Sequence, residues 1–305
     1  MSKIAFIFPG QGAQYCKMGQ DFYEQTEIGK KIYDKASALL GFSVPELCFE
    51  ENDRLNITEY TQAAMVTTSL AMMRVLEAEK KIRPDVAAGL SLGEYCALAA
   101  AGVISDEDAI KTVRQRGILM QEAVPAGIGA MAAILALDAS KIEDVLKDME
   151  EVQIANYNCP GQIVISGKKE AVEEANKRLL AAGAKRAIML NVSGPFHSSM
   201  LTEAGEKLGK VLEGVKVFKP QIPYVANVTA EYVTDESMVK PLLKQQVYSS
   251  VRWQQSVETM LKDGVDTFIE IGPGKTLTGF MRKITKDVTV FNIEKLEDME
   301  KLTEL

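Results

Sequence analysis

Short apolar runs alternate along the chain with longer stretches whose apolar residues recur at helical spacing. Residues 3–8 are predicted to form a strand, because residues 4–8 are a continuous apolar run of the kind that is buried in a parallel sheet. Residues 61–79 have a helical period, and a second short apolar run covers residues 84–90. A helix of small residues follows and is expected to end at Gly102. This alternation of strands and helices predicts a parallel sheet with helices on both of its faces.

The middle third of the chain has a different order of elements. Four strands are predicted there, at residues 130–137, 152–156, 162–167 and 185–190, with helices at 140–149 and 168–182. Their order is strand-helix-strand-strand-helix-strand, which is the ferredoxin-like pattern. The first pattern then resumes, with candidate strands at residues 224–227, 267–271 and 288–292. We therefore expect a small subdomain at residues 125–193, inserted into a large α/β domain that is formed by residues 1–124 and 194–305.

The composition is that of an ordinary globular protein, and it narrows the possible classes. Of the 305 residues, 47% are hydrophobic and 25% are charged, which excludes a disordered chain. No run of about 18 or more apolar residues is present, so no membrane span is expected. The apolar run at residues 4–8 is too short for a signal peptide, and we expect a cytoplasmic protein. The net charge of −7 argues against nucleic acid as a partner.

The four cysteines lie far apart in the sequence, at positions 16, 48, 96 and 159. None belongs to a Cys-x-x-Cys motif, so neither a zinc site nor a disulfide scaffold is expected.

Two glycine-rich segments resemble nucleotide-binding motifs without completing them. Tyr15 stands where a dinucleotide fingerprint needs glycine or alanine, and Ile269 stands where a phosphate-binding loop needs its first glycine. These departures argue against an NAD enzyme and against an NTPase.

The segment Gly89-Leu90-Ser91-Leu92-Gly93 matches the pattern G-x-S-x-G. It lies between a predicted short strand and a predicted helix, which is the context of a nucleophile elbow. A sharp turn of this kind exposes the serine hydroxyl and leaves the following backbone N–H groups near an oxyanion. The strand-turn-helix context favours a nucleophilic Ser91 over the alternative of a helix cap that carries two glycines by chance.

His197 is the single histidine of the chain, so any mechanism that needs an imidazole must use it. A nucleophilic serine needs a general base, which makes His197 the candidate base for Ser91. The alternative interpretation is that His197 lies in a loop with its hydrogen bonds satisfied and has no catalytic role. No acidic residue stands out as a third member of a triad, and a backbone carbonyl could orient the imidazole instead of a carboxylate.

Arg116 is predicted to lie on the apolar face of the helix that follows Ser105. At 100° per residue it falls on the stripe formed by Ala109, Val113 and Met120. A guanidinium that faces inward needs an anionic partner. That partner is either a buried acid in a structural ion pair or a substrate carboxylate held by two parallel hydrogen bonds.

Together these segments resemble the family of malonyl-CoA:acyl carrier protein transacylases and the acyltransferase domains of fatty-acid and polyketide synthases. The resemblance covers nearly the whole chain and rests on six ordered segments, at residues 8–14, 89–95, 116–121, 158–162, 194–198 and 272–275. The fold that it implies is an α/β-hydrolase-like parallel-sheet large domain with an inserted ferredoxin-like small subdomain. This agrees with the element order predicted above.

The resemblance also implies a role for each matching residue. Ser91 would be the acylated nucleophile and His197 its general base. The backbone N–H groups of Gln11 and Leu92 would form the oxyanion hole, and Gln11 would also contact substrate. Arg116 would hold the free carboxylate of the malonyl group.

Three further positions bear on specificity and on the histidine. Phenylalanine at the place of Phe196 accompanies malonyl substrates in this family, whereas serine there accompanies methylmalonyl substrates. Leu90 stands where the family often has a histidine. The family segment Pro-Val-Gln-Trp, which often orients the catalytic histidine through a carbonyl, is replaced here by Ser-Val-Arg-Trp, so Arg252 is the expected source of that carbonyl.

The implied reaction moves a malonyl group from malonyl-CoA to the phosphopantetheine thiol of acyl carrier protein through an acyl-serine, in fatty-acid biosynthesis. No metal and no bound cofactor are implied, and we expect a monomer. The alternatives are a trans-acting acyltransferase of a polyketide assembly line, a serine thioesterase or esterase, and a scaffold that only docks carrier protein. An inward Arg116 and the absence of an HGGG-type loop argue against the hydrolase. Intact Ser91 and His197 argue against the scaffold.

Overall fold

The computed structural model describes residues 2–125, 127–192 and 194–302. Within these residues the chain forms two β-sheets that are covered by helices. The strands are β1 (Ile4–Phe8), β2 (Val86–Gly89), β3 (Gly129–Leu135), β4 (Val152–Cys159), β5 (Gln162–Lys168), β6 (Arg186–Met189), β7 (Tyr224–Val225), β8 (Tyr232–Val233), β9 (Thr267–Ile271) and β10 (Thr289–Ile293).

Helices alternate with these strands along most of the described chain. They are α1 (Gln20–Gln25), α2 (Glu27–Leu40), α3 (Val44–Phe49), α4 (Thr58–Glu79), α5 (Glu94–Ala100), α6 (Asp106–Glu122), α7 (Ala139–Leu146), α8 (Lys169–Ala181), α9 (Thr202–Glu213), α10 (Val239–Gln246), α11 (Trp253–Lys262) and α12 (Thr276–Ile284). No helix of the described residues is long and apolar enough to cross a membrane.

The larger sheet has the strand order β10-β9-β1-β2-β7-β8. All of its neighbours are parallel except β7 and β8. β1 lies between β2 and β9, and four of its five residues are fully buried, as its continuous apolar sequence predicts. The predicted parallel sheet of the large domain is confirmed, and its one antiparallel pair lies at the β8 edge. The connection from β7 to β8 is too short for a crossover helix, so these strands form an antiparallel hairpin.

The smaller sheet is antiparallel, with the order β4-β5-β3-β6. Its elements follow one another as β3-α7-β4-β5-α8-β6, which confirms the predicted ferredoxin-like pattern. A separate apolar core lies between this sheet and its two helices. The boundaries at residues 125 and 193 stay a prediction, and position 193 lies outside the described residues, as do positions 1, 126 and 303–305.

β4 connects the small sheet to the large domain. Asn156 forms a parallel bridge with Val251, and Tyr157 N donates to the Val251 carbonyl. Val251 N donates in turn to the carbonyl of Ala155. These backbone hydrogen bonds hold one face of the small sheet beside the carboxyl ends of β1 and β2, where ligands bind in open α/β sheets.

Candidate active site

Ser91 occupies a sharp turn directly after β2. Its φ is 50°, in the left-handed region that non-glycine residues rarely adopt. A Cβ atom at Gly89 would collide with the backbone of Gly93, and one at Gly93 would collide with the carbonyl of Phe8. Both glycines are therefore needed for the close approach of strand, turn and helix. The turn has the geometry that the pattern G-x-S-x-G predicts, with a strained backbone of the kind found at functional sites.

The Ser91 hydroxyl faces the single imidazole. Ser91 Oγ lies 2.7 Å from His197 Nε2, and His197 Nδ1 lies 2.8 Å from the backbone carbonyl of Gln246. Because a carbonyl only accepts, Nδ1 carries the proton and Nε2 is the acceptor for the Ser91 hydroxyl. His197 is 4% exposed, and burial, followed by the charge of Arg116, lowers its pKa to about 4. The imidazole is therefore neutral at physiological pH and can take the serine proton.

The expectation that Arg252 provides the carbonyl for His197 is wrong. The acceptor is the Gln246 carbonyl, at the last residue of α10. The carbonyl of Arg252 is already used at the start of α11, where the backbone N–H and the hydroxyl of Ser256 both donate to it. The last carbonyls of a helix have no partner within the helix, which leaves the Gln246 oxygen free for the imidazole.

Arg116 points inward from α6 and is 1% exposed, as the helical spacing predicts. Its Nη1 donates to Gln62 Oε1 at 2.9 Å. Its Nη2 donates to Ser91 Oγ at 3.1 Å and to Gln246 Oε1 at 3.0 Å. All of these acceptors are neutral, and no direct ion pair of Arg116 is present among the described residues. Burial lowers the pKa of the guanidinium from its ordinary value. Arg116 therefore does not form the structural ion pair that was the alternative to binding a substrate carboxylate.

The loop after β1 lies against the serine turn. A Cβ at Gly10 would come within 2.7 Å of the Leu90 carbonyl oxygen, so only glycine permits this approach. The next residue, Gln11, lines the cavity and donates from Nε2 to the Thr58 hydroxyl at 3.2 Å. Leu92 is buried in the 3₁₀ turn directly after Ser91. The two residues expected to form the oxyanion hole thus belong to the two loops that meet at the nucleophile.

A cavity of about 780 Å³ opens between the two sheets above Ser91. Its lining includes Gln11, Ser91, Arg116, Phe196 and His197. The small sheet contributes further lining residues from β3, β4 and β5, and the segment after β6 contributes others. Five of the seven predicted site residues therefore line one cavity. Leu92 lies directly beside it, and Arg252 is absent from the lining.

Sequence reasoning missed four polar residues that hold this arrangement together. Gln62 and Gln246 bind the guanidinium of Arg116. Asn227 Oδ1 accepts from the backbone N of Ser91 at 2.6 Å, and Glu94 accepts from Gln246. All four are at most 1% exposed. The one available signal was the position of Gln62 directly before the apolar residues 63–66 of α4, because a buried polar side chain needs a specific partner.

The family comparison agrees with this geometry. The sequence matches the family described as "Acyl transferase domain" over residues 5–301. This match spans nearly the whole chain, so the protein belongs to the acyl transferase domain family.

Particular relatives carry a more specific name. The chain is 46% identical to the malonyl CoA-acyl carrier protein transacylase of Bacillus subtilis, over 98% of this chain and 96% of that protein. The crystal structure of the enzyme with the same name from Clostridium perfringens superimposes with a TM-score of 0.95 at 43% identity, covering 99% and 96% of the two chains. A malonyl-transacylase solved in complex with a type II polyketide synthase acyl-carrier protein gives 0.96 at 39% identity, with 99% of both chains covered.

Proposed function

We propose that the protein transfers a malonyl group from malonyl-CoA to the phosphopantetheine thiol of acyl carrier protein. The observation that carries this function is the contact of one buried arginine, Arg116, with the hydroxyl of the nucleophile, Ser91. A guanidinium at this place can bind a carboxylate that lies one carbon beyond the reacting carbonyl, which is the structure of a malonyl thioester. The names of the similar proteins support the same reaction.

In the first half-reaction Ser91 Oγ attacks the thioester carbonyl of malonyl-CoA. His197 Nε2 takes the hydroxyl proton as the C–O bond forms, and the Gln246 carbonyl stabilises the imidazolium through Nδ1–H. The backbone N–H groups of Gln11 and Leu92 bind the oxyanion of the tetrahedral intermediate. The C–S bond then breaks, His197 returns the proton to the sulfur, and CoA leaves a malonyl ester on Ser91.

The second half-reaction reverses these steps with a different thiol. The phosphopantetheine thiol of the carrier protein enters the cavity and gives its proton to His197 as its sulfur attacks the serine ester. Collapse of the intermediate breaks the C–O bond, and the proton returns from His197 to Ser91 Oγ. The malonyl group thus passes from one thiol to the other through a single acyl-serine intermediate, without a metal or a resident cofactor.

Arg116 selects the acyl group by its charge. A malonyl carboxylate can accept two parallel hydrogen bonds from the guanidinium, which gives the buried cation an anionic partner. An acetyl group leaves the cation with neutral partners only, and an unpaired buried charge is costly. Phe196 is 7% exposed and lies next to His197 in the cavity wall, so its ring restricts a branch at the α-carbon of the acyl group.

We place the carrier protein at the open side of the cavity. Two exposed basic pairs are the candidates for its docking surface, Lys185 with Arg186 at the start of β6, and Arg282 with Lys283 on α12. β6 leads directly into the cavity lining, and Lys283 donates to Gln162, another lining residue. The carrier is expected to be acidic, and these basic pairs would attract it in spite of the net charge of −7.

We assign the carrier to fatty-acid biosynthesis and the protein to the cytoplasm, as a monomer. The four cysteines are free, and free cysteines are typical of proteins in a reducing compartment. Similarity to a malonyl-transacylase bound to a polyketide carrier makes polyketide synthesis the second candidate. Initial rates of malonyl transfer to purified holo-carriers of both kinds test the assignment, and a higher kcat/KM with the polyketide carrier would reverse it.

Transfer to a thiol is distinguished from hydrolysis by varying the acceptor that is offered to the malonyl-enzyme. After loading with malonyl-CoA and removal of free thioester, the malonyl group should remain on the enzyme until holo-carrier is added, and should then appear on the carrier. The carrier without its phosphopantetheine arm is the control and should accept nothing. Rapid release of free malonate without any thiol would instead indicate a thioesterase.

A further inference from the structure

A buried carboxylate, Glu94, lies behind the Ser91 turn and takes no part in the steps described above. It is the first residue of α5 and is 1% exposed. Its Oε2 accepts a hydrogen bond from Gln246 Nε2 at 2.6 Å and one from the backbone N of Asn227 at 3.3 Å. No direct cationic partner of Glu94 is present in the described part of the chain. A buried carboxylate of this kind is costly, so its contacts need an explanation.

Gln246 links Glu94 to Arg116, Ser91 and His197. Its Oε1 accepts from Arg116 Nη2 at 3.0 Å, and its Nε2 also donates to the Ser91 carbonyl at 2.9 Å. Its backbone carbonyl accepts from His197. A side-chain amide has one accepting end and one donating end, and an ionised carboxylate only accepts. The ionised Glu94 and the Ser91 carbonyl therefore together hold the donating end of Gln246, which leaves the accepting end for the guanidinium.

We propose that Glu94 is a positioning residue for malonyl selection, which acts by holding the Gln246 amide in the orientation that presents Oε1 to Arg116. The inference rests on the proposed malonyl transfer. A protonated Glu94 can donate a hydrogen bond, so only the Ser91 carbonyl then holds the NH2 group of Gln246 in place. In the molecules whose Gln246 amide turns, the oxygen faces Glu94 and the NH2 group faces Arg116. Two donors would face each other, and the guanidinium would leave the position in which it binds the malonyl carboxylate.

The protonation of Glu94 changes near neutral pH. Burial raises its pKa to about 7, against the opposing effects of the hydrogen bonds from Gln246 and Asn227 and of the charge of Arg116. Glu94 is therefore ionised above about pH 7 and protonated below it. Malonyl selection should be strong on the alkaline side and weaken as the pH falls.

Other titratable groups face Glu94 from the surrounding elements. Tyr95 lies on the same helix and Tyr224 on β7, and burial raises the pKa of each phenol further above neutrality. Arg116 of α6 has its pKa lowered by burial, and His197 titrates near pH 4. The titration of His197 and of the two phenols therefore lies outside the neutral range, and a change in selectivity near pH 7 is assigned to Glu94.

The test measures the ratio of kcat/KM for malonyl-CoA to kcat/KM for acetyl-CoA between about pH 5.5 and 8.5. Taking the ratio removes the effects of titrating the CoA phosphates and His197, because these groups affect the reactions of both thioesters equally. In the wild type the ratio should rise with pH with a midpoint near 7. In Glu94→Gln it should be about tenfold lower at the alkaline end and independent of pH, because the neutral side chain no longer demands a donor from Gln246.

Glu270→Gln is the matched control. Glu270 is a second buried glutamate with a raised pKa, but it accepts from the first turn of α12, at Leu277 and Thr278. Its replacement should leave the malonyl-to-acetyl ratio and its pH dependence unchanged. Asn227→Ala is a second comparison, because the loss of its bond to the Ser91 N–H should slow both thioesters by the same factor.

Two results would overturn the inference. The first is an equal loss of malonyl and acetyl transfer in Glu94→Gln with an unchanged ratio, which would mean that Glu94 only supports the fold of the turn. The second is a wild-type ratio that stays flat across neutral pH, a measurement that needs no variant to fold. A failure of the proposed function would be distinguishable, since the wild type would then form no acyl-enzyme with malonyl-CoA.

Discussion

Replacement of Arg116 by alanine tests the basis of malonyl selection. The guanidinium is 1% exposed, and its hydrogen-bond partners Gln62, Ser91 and Gln246 are all neutral, so a malonyl carboxylate would be its anionic partner. Removing one partner of a buried, hydrogen-bonded charge pair costs about 2–5 kcal/mol. A central value of about 3 kcal/mol corresponds to a loss of roughly 150-fold in kcat/KM for malonyl-CoA. Acetyl-CoA gains relative to malonyl-CoA, because no buried cation is then left unpaired.

The assay follows acylation by malonyl-CoA and by acetyl-CoA in stopped-flow mixing. Arg114→Ala is the matched control, since Arg114 lies on the same helix but forms an ion pair with Glu59 at 2.7 Å. The control should lower the free energy of unfolding and leave the preference for malonyl intact. Retention of a full malonyl preference in Arg116→Ala would refute the reasoning, because the carboxylate would then be held by another group.

Three further predictions concern the base, the acyl pocket and the carrier. His197→Ala should slow acylation by about 10²-fold or more. The wild-type rate of acylation by acetyl-CoA, which has no carboxylate for Arg116, should fall only as the pH approaches 4, where the imidazole gains a proton, and a fall of this rate near pH 6.5 would contradict the lowered pKa of His197. Phe196→Ser should raise methylmalonyl relative to malonyl transfer by about 10- to 200-fold, with the acetyl-to-malonyl ratio unchanged in the same competition assay. Charge reversal of either basic pair should raise the KM for carrier protein but not that for malonyl-CoA, and unchanged carrier kinetics at both pairs would exclude them as the docking surface.

The regular part of the fold could be predicted because its signals are local. The apolar run of β1 and the alternation of strands and helices in the small sheet depend on neighbouring residues, and the structure confirms both. The serine turn was also predictable, since Gly89 and Gly93 are needed on steric grounds. The inward face of Arg116 followed from the helical period alone.

The parts of the structure that were not predicted have no local sequence signal. The β7–β8 hairpin consists of two-residue strands, which are too short to produce an alternating pattern. The carbonyl that orients His197 is provided by a helix end 49 positions away, so the choice between Gln246 and Arg252 depends on which helix reaches the imidazole. The hydrogen bond between Glu94 and Gln246 spans 152 positions. No local sequence pattern predicts hydrogen bonds between residues so far apart in the chain.

The central claim is that Ser91 carries the malonyl group between the two thiols. Intact-protein mass spectrometry after brief mixing with malonyl-CoA tests it most directly. The wild type should gain the mass of one malonyl group, peptide mapping should locate it on Ser91, and Ser91→Ala should gain nothing. An adduct of the same mass on Ser91→Ala, or a wild type that remains unmodified while transfer to the carrier proceeds, would exclude Ser91 as the residue that carries the malonyl group.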